Sequence, residues 1–86
     1  MKITEVQLTP IKPKDGLVAF ASVVIDNNVY LGSIGVHTRI DGNGYRITYP
    51  KKLVSDKQID IYHPINKATG QIIEAAIIAK AAQLLA

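Results

Sequence analysis

The order of apolar and polar positions divides this chain into alternating stretches, one unbroken apolar run and one long helical tract. The unbroken run is Leu17-Val18-Ala19-Phe20-Ala21-Ser22-Val23-Val24-Ile25, whose one polar side chain is Ser22. It is short and rich in branched residues, which predicts a strand buried on both faces. A strand with one wet face would alternate. Ahead of it, Ile3, Val6 and Leu8 among Thr, Glu and Gln predict a first strand over Met1 to Thr9. Pro10 and Pro13 end that strand by withholding two ladder donors, as suits a sheet edge or a strand end. Lys14-Asp15-Gly16 forms a turn, and Asp26-Asn27-Asn28 closes the central strand in a tight hairpin. A third strand from Val29 to Ile40 contains Gly32 and Gly35, which mark a bulge or a close backbone approach. Asn43-Gly44 suits a type I′ hairpin turn. Tyr45-Arg46-Ile47-Thr48-Tyr49 then alternates, with both tyrosines and Ile47 on one face. Pro50 ends it. Lys51 to Lys57 predicts a loop rich in positive charge, Gln58 to Tyr62 a short last strand, and His63 to Asn66 a turn into the helix.

The tract from Lys67 to Ala86 predicts that helix, with Asn66 as N-cap and Ile65 before it. On a 100° wheel Ile72, Ile73, Ala76, Ile77 and Leu84 share the face that packs on the sheet, with Lys67, Gln71 and Glu74 opposite. Further along, the outer side carries Ile78, Ala82 and Leu85. A helix wet at its start and apolar all round at its end needs a cover there, and a second copy of the chain supplies it. Ile78, Ala82 and Leu85 are therefore the expected homodimer interface. The fold class that follows is α+β, one domain over residues 1–86. It has an antiparallel sheet of four to five strands with one C-terminal helix packed on one face.

Composition narrows the chemistry. A chain of 86 residues is marginally stable alone, which again favours a partner. It has no cysteine, so disulfides and thiolate zinc sites are excluded, which fits a reducing cytoplasm. The N-terminal residues contain no apolar core of a signal peptide, and no run approaches 18 apolar residues, so no membrane partner is expected. The net charge of +3 permits a polyanion without requiring one. Asp41 to Gly44 lacks the further oxygen ligands of a calcium loop. His37 is isolated, and His63 near Asp60 reads as a hydrogen-bonding corner. The serines lack a nucleophile's setting. No enzyme, cofactor, metal or small-molecule substrate is expected. Tyr45 and Tyr49 pack the core or a dimer surface, the alternative being stacking on unpaired bases. The basic residues either solvate a small domain or, if the Lys51–Lys57 loop lies beside the helix start, bind phosphate.

Several segments together carry a family resemblance. Met1-Lys2-Ile3-Thr4-Glu5-Val6, the strand Leu17 to Val23, Pro50-Lys51-Lys52 and Asp60-Ile61-Tyr62-His63-Pro64-Ile65-Asn66 occur in an order and spacing that resembles the sporulation stage V protein G (SpoVG) septation family. The resemblance implies a cytoplasmic bacterial or phage-borne dimer that binds DNA or RNA and regulates septation, sporulation and gene expression. It associates the start of the C-terminal helix with choice of nucleic-acid site. With the basic residues, it gives the functional expectation that Arg46, Lys51, Lys52 and Lys67 bind phosphate while Thr69 and Gln71 at the helix start face a groove or bases. At that helix start Gly70 stands where the family pattern has arginine, and Ile72 where it has a further polar or basic residue. Glycine cannot supply the planar fork of donors by which arginine reads guanine or phosphate. The alternative is a dimeric interaction scaffold that has lost sequence-specific nucleic-acid binding.

Overall fold

The computed structural model describes residues 1–85. Four strands form one antiparallel sheet in chain order: β1 (Ile3–Lys14), β2 (Leu17–Ile25), β3 (Val29–Thr38) and β4 (Tyr45–Thr48). β5 (Lys51–Val54) and β6 (Lys57–Asp60) make a separate two-stranded sheet, and α1 (Lys67–Leu85) lies across one face of the larger one. The α+β class stands, and β2 has the boundaries that its apolar run predicts.

The turns explain the register. Asp15 and Gly16 both have positive φ, as do Asp26 and Asn27. These are the residue types that tolerate the left-handed region in tight hairpins. Cross-strand pairs then place Val6 beside Val23, Leu8 beside Ala21, Ala21 beside Ile34 and Ala19 beside Val36. Those side chains point to the helix. Ala19, Ala21, Val23, Ile34 and Val36 are buried with Ile73, Ile77 and Ala81 of α1. The alanines of β2 and α1 let the layers approach closely.

Several expectations are corrected. β1 runs through Pro10 to Lys14 instead of ending at Thr9, because it is the outer strand. The pairing is irregular between Pro10 and Lys14, where the missing donors face no partner. β3 ends at Thr38, and residues 39–44 form a wider loop, closed by Arg39 N–H to the Gly44 carbonyl at 3.1 Å and Gly42 N–H to the Arg39 carbonyl at 2.9 Å. No two-residue Asn43-Gly44 turn forms. Instead of lying buried on both faces, β2 has only one face covered by this chain, and Phe20 on the other is 42% exposed.

The helix face is also narrower than the wheel predicts. Ile73, Ile77, Ala81 and Leu85, each four residues apart, form the stripe against the sheet, while Ile72 and Leu84 face solvent. A step of four advances only 40° around the axis, so this single row follows the flat, alanine-lined strand. Leu85 thereby packs on its own core, not on the outer side. Ile78 is half-buried and Ala82 exposed.

Asn66 caps α1: its Oδ1 accepts the Thr69 N–H at 3.1 Å. Replacing Asn66 by Ala is expected to cost about 1 kcal/mol. A lower urea midpoint with an unchanged slope would register it, whereas an unmoved midpoint would show the cap to be dispensable.

Candidate nucleic-acid interface

Lys51 and Lys52 do not lie on a loop. They begin the β5–β6 hairpin, whose turn residues Ser55 and Asp56 both have positive φ (49° and 67°), the geometry of a two-residue type I′ turn. Lys52 pairs with Ile59 and Val54 with Lys57, while Lys51 pairs with Asp60 and Leu53 with Gln58. Alternation therefore puts Lys52, Val54, Lys57 and Ile59 on one side and Lys51, Leu53, Gln58 and Asp60 on the other. Every residue of both strands is exposed. Positive charge suggested a loop, but Leu53, Val54 and Ile59 lie between the charged residues, and the chain pairs there as a ribbon.

The two lysines differ electrostatically. Lys51 Nζ lies 3.8 Å from Asp60 Oδ1, and His63 Nδ1 lies 3.3 Å from Asp60 Oδ2. The Asp60 carboxylate thus links the base of the hairpin to the corner before the helix, the structural role expected of His63. Lys52 makes no ion pair among the described residues.

At the helix start, Lys67 and Gln71 line an open hollow of about 480 Å³ with Tyr49, Pro64, Asn66 and Glu74. The first turn of α1 contains no acidic residue, so the positive end of the helix dipole is left without a carboxylate there. Thr69 lines a different, more apolar cavity of about 210 Å³ with Leu31, Tyr62, Pro64 and Ile73. Gly70 faces Pro64, and a Cβ there would meet Pro64 Cγ at 3.4 Å. That is ordinary van der Waals contact, so the packing of Pro64 on the helix does not itself require glycine there.

Arg46 is not beside this group. It pairs with His37 across β3 and β4, on the sheet face away from the helix. His37 Nε2 is 2.9 Å from Thr48 Oγ1, and burial first, then the Arg46 charge, lowers its pKa. Tyr45 and Tyr49 point the other way, into the core. Tyr49 meets Tyr62 edge-on, with ring centroids 5.9 Å apart. Tyr62 Oη donates to the Gly32 carbonyl at 2.5 Å, on a part of β3 that β4 does not reach. Burial, with smaller effects from Tyr49 and Tyr30, pushes the Tyr62 phenol up to about 12.

The sequence order of these elements, from the first strand through the hairpin and the His63–Asn66 corner into the helix, is that of a known family: a family model described as SpoVG matches residues 1–83. The chain belongs to the SpoVG family. It is 38% identical over 82 residues to "Putative septation protein SpoVG" of Geobacillus thermodenitrificans, covering 93% of this chain and 82% of that one. The protein of that name from Clostridium acetobutylicum is also 38% identical over 82 residues, covering 93% and 83%. "Putative septation protein SpoVG 1" of Listeria monocytogenes is 36% identical over 81 residues, covering 92% and 76%.

Within this SpoVG chain the candidate residues fall into two groups. Lys51 and Lys52, and then Lys67 and Gln71, flank the His63–Asn66 corner, and Arg46 lies on the opposite sheet face. Sequence reasoning passed over Phe20 and Tyr30, which are the exposed aromatic residues on that opposite face. The alternation Ala19-Phe20-Ala21 was the available signal: two small residues face the helix, and the ring between them must face away. No helix among the described residues is long and apolar enough to cross a membrane.

Proposed function

We propose that this SpoVG-family protein is a nucleic-acid-binding regulator acting as a homodimer, with roles in septation that its relatives' names suggest. The observation that carries the reading is the exposed basic hairpin, tied through Asp60 to the His63 corner that leads into a helix start lined by Lys67 and Gln71. A two-stranded ribbon with lysines along it fits against a phosphate backbone, and an uncompensated helix N-terminus adds favourable potential for anions. Lys51, Lys52 and Lys67 are the phosphate contacts there, with Gln71 and Thr69 facing the groove or bases, and Arg46 contacts phosphate only where the nucleic acid reaches the opposite sheet face. Thr69 reaches them only by turning away from its cavity.

The test is a binding isotherm against duplex DNA at several salt concentrations. Replacing both hairpin lysines by Ala is expected to reduce the slope of log K on log salt by up to about two units, at roughly 0.9 per lost contact. Lys52→Ala has the larger share, because Lys51 must first leave Asp60. Superimposable wild-type and double-variant curves would remove the hairpin from the site.

A second reading is a dimeric scaffold without sequence-specific nucleic-acid binding. It is favoured by Gly70, which lies against Pro64 where the family pattern has arginine, and by exposed Leu53, Ile59 and Ile61 near the lysines. Absence of an electrophoretic shift with random duplex and single-stranded RNA at low salt and micromolar protein would select the scaffold.

A further inference from the structure

The sheet face away from α1 has an order of its own. Direct cross-strand partners share a face, so the rows can be read from the register. One end carries Lys14, Leu17, His37 and Arg46, each paired with the next across β1 to β4. The next row is Thr9, Phe20, Gly35 and Thr48, followed by Gln7 beside Ser22, and by Glu5, Val24 and Tyr30. Between Ala21–Ile34 and Val23–Leu31, Ser22 is opposed by two residues, Gly32 and Ser33, and Ser33 has φ of 61°. This bulge opens a cleft of about 250 Å³ lined by Gln7, Thr9, Phe20, Ser22, Tyr30 and Ser33. Tyr30 is 69% exposed. A Cβ on Gly32 would come within 2.7 Å of its ring, and a Cβ on Gly35 within 2.7 Å of Thr48 Oγ1. Glycine at both positions keeps the floor beside the two aromatic rings clear.

We infer that this face is a single-strand platform: Phe20 and Tyr30 stack unpaired bases, and Lys14 and Arg46 hold the adjoining phosphates. The inference rests on the nucleic-acid reading above and assigns it a second, distinct surface. The chemistry of the cleft selects the occupant. Its polar side chains are one amide, three aliphatic hydroxyls and the Tyr30 phenol, which donate and accept as base edges require. No carboxylate lines it, and Glu5, one row further on, already accepts from Gln7 Nε2 at 3.1 Å. Two cations stand in the row beyond Phe20: Arg46, two residues along β4 from Thr48 and so about 7 Å from it at strand spacing, and Lys14, beyond the irregular pairing of β1. His37 between them is held toward its neutral form. A duplex keeps its bases stacked and paired, so only an unpaired strand offers rings to this surface. Packing a second copy's sheet here would bury the hydroxyls and the amide without water.

Phe20→Leu and Tyr30→Leu remove an aromatic ring each while keeping apolar bulk at exposed positions. Fluorescence anisotropy with labelled oligouridylate RNA and with a duplex DNA of equal length reads the difference. Each variant is expected to raise Kd for the single strand about 5- to 100-fold and to change the duplex value less than about twofold. Unchanged single-strand affinity in both variants, or equal losses on both ligands, overturns the platform. So does a variant that sediments at half the wild-type mass, since the face would then be a subunit contact. Wild-type protein that binds the duplex and ignores the single strand overturns the platform alone. Binding to neither overturns the nucleic-acid reading with it.

Discussion

Replacing Ile77 by Ala is expected to lower the unfolding free energy by about 2–5 kcal/mol, and the melting temperature by roughly 10–30 °C. Ile77 is fully buried, at the middle of the stripe that α1 lays on the sheet. The alanines at Ala19, Ala21 and Ala81 leave little side-chain volume around it that could relax into a cavity. A domain of 86 residues has roughly 4–13 kcal/mol in total, so this one truncation removes a large share. Ile72→Ala on the same helix, at a position 45% exposed, is expected to cost under about 1 kcal/mol. Thermal unfolding followed by circular dichroism compares the two. Equal shifts would mean that the stripe is misassigned and that Ile72 faces the core.

The comparison matters because the wheel alone places Ile72 and Ile77 together. Local periodicity names an apolar half of the helix, whereas the sheet decides which narrow row within that half makes contact. That decision depends on Ala19 and Ala21, which are far from the helix in sequence. The same limit applies to Leu85. The four-residue row carries it onto the chain's own core, although the pattern assigns it to the outside.

β2, its flanking turns and the N-cap were legible because short-range chemistry fixes them: an unbroken apolar run, Asp-Gly and Asn residues that tolerate positive φ, and an amide that accepts Thr69 N–H. The β5–β6 hairpin was not. Its turn is Ser55-Asp56, a weaker signal than Asn-Gly, its strands do not alternate cleanly, and the three lysines of residues 51–57 drew attention to charge. Within the candidate site, the residue types were readable and their directions were not. Arg46 and Tyr45 are sequence neighbours and therefore lie on opposite faces of β4. Thr69 and Gln71, two apart on a helix, line different cavities. Phe20 was hidden in the apolar run, where its alternation with Ala19 and Ala21 was the one hint, and the register shows its ring outside the core.

Ile59→Glu is expected to convert a dimer into a monomer. Leu53 and Ile59 are 66% and 51% exposed on a two-stranded ribbon that forms its own sheet and contributes no residue to the hydrophobic core among the described residues. An isolated ribbon of this kind is at best marginally stable in water, and its open edges offer unpaired donors and acceptors. Pairing with the ribbon of a second copy would satisfy those edges and cover the face that carries Val54 and Ile59, and the ammonium ends of the lysines at its rim would still reach solvent. The apolar end of α1, with Ile78, Ala82 and exposed Leu84, extends the same requirement. A carboxylate at position 59 would be left without a partner inside that contact, at about 3 kcal/mol or more, which weakens association by at least roughly 100-fold. Sedimentation across the micromolar range reads the outcome against the 9.3 kDa of one chain. Wild-type protein should run at twice that mass and the variant at the single-chain value, with the helical signal in circular dichroism unchanged. Wild-type protein that sediments as a single chain throughout, with the amides of β5 and β6 still protected from exchange, would show that the ribbon is stable alone and that the dimer is not required to explain it.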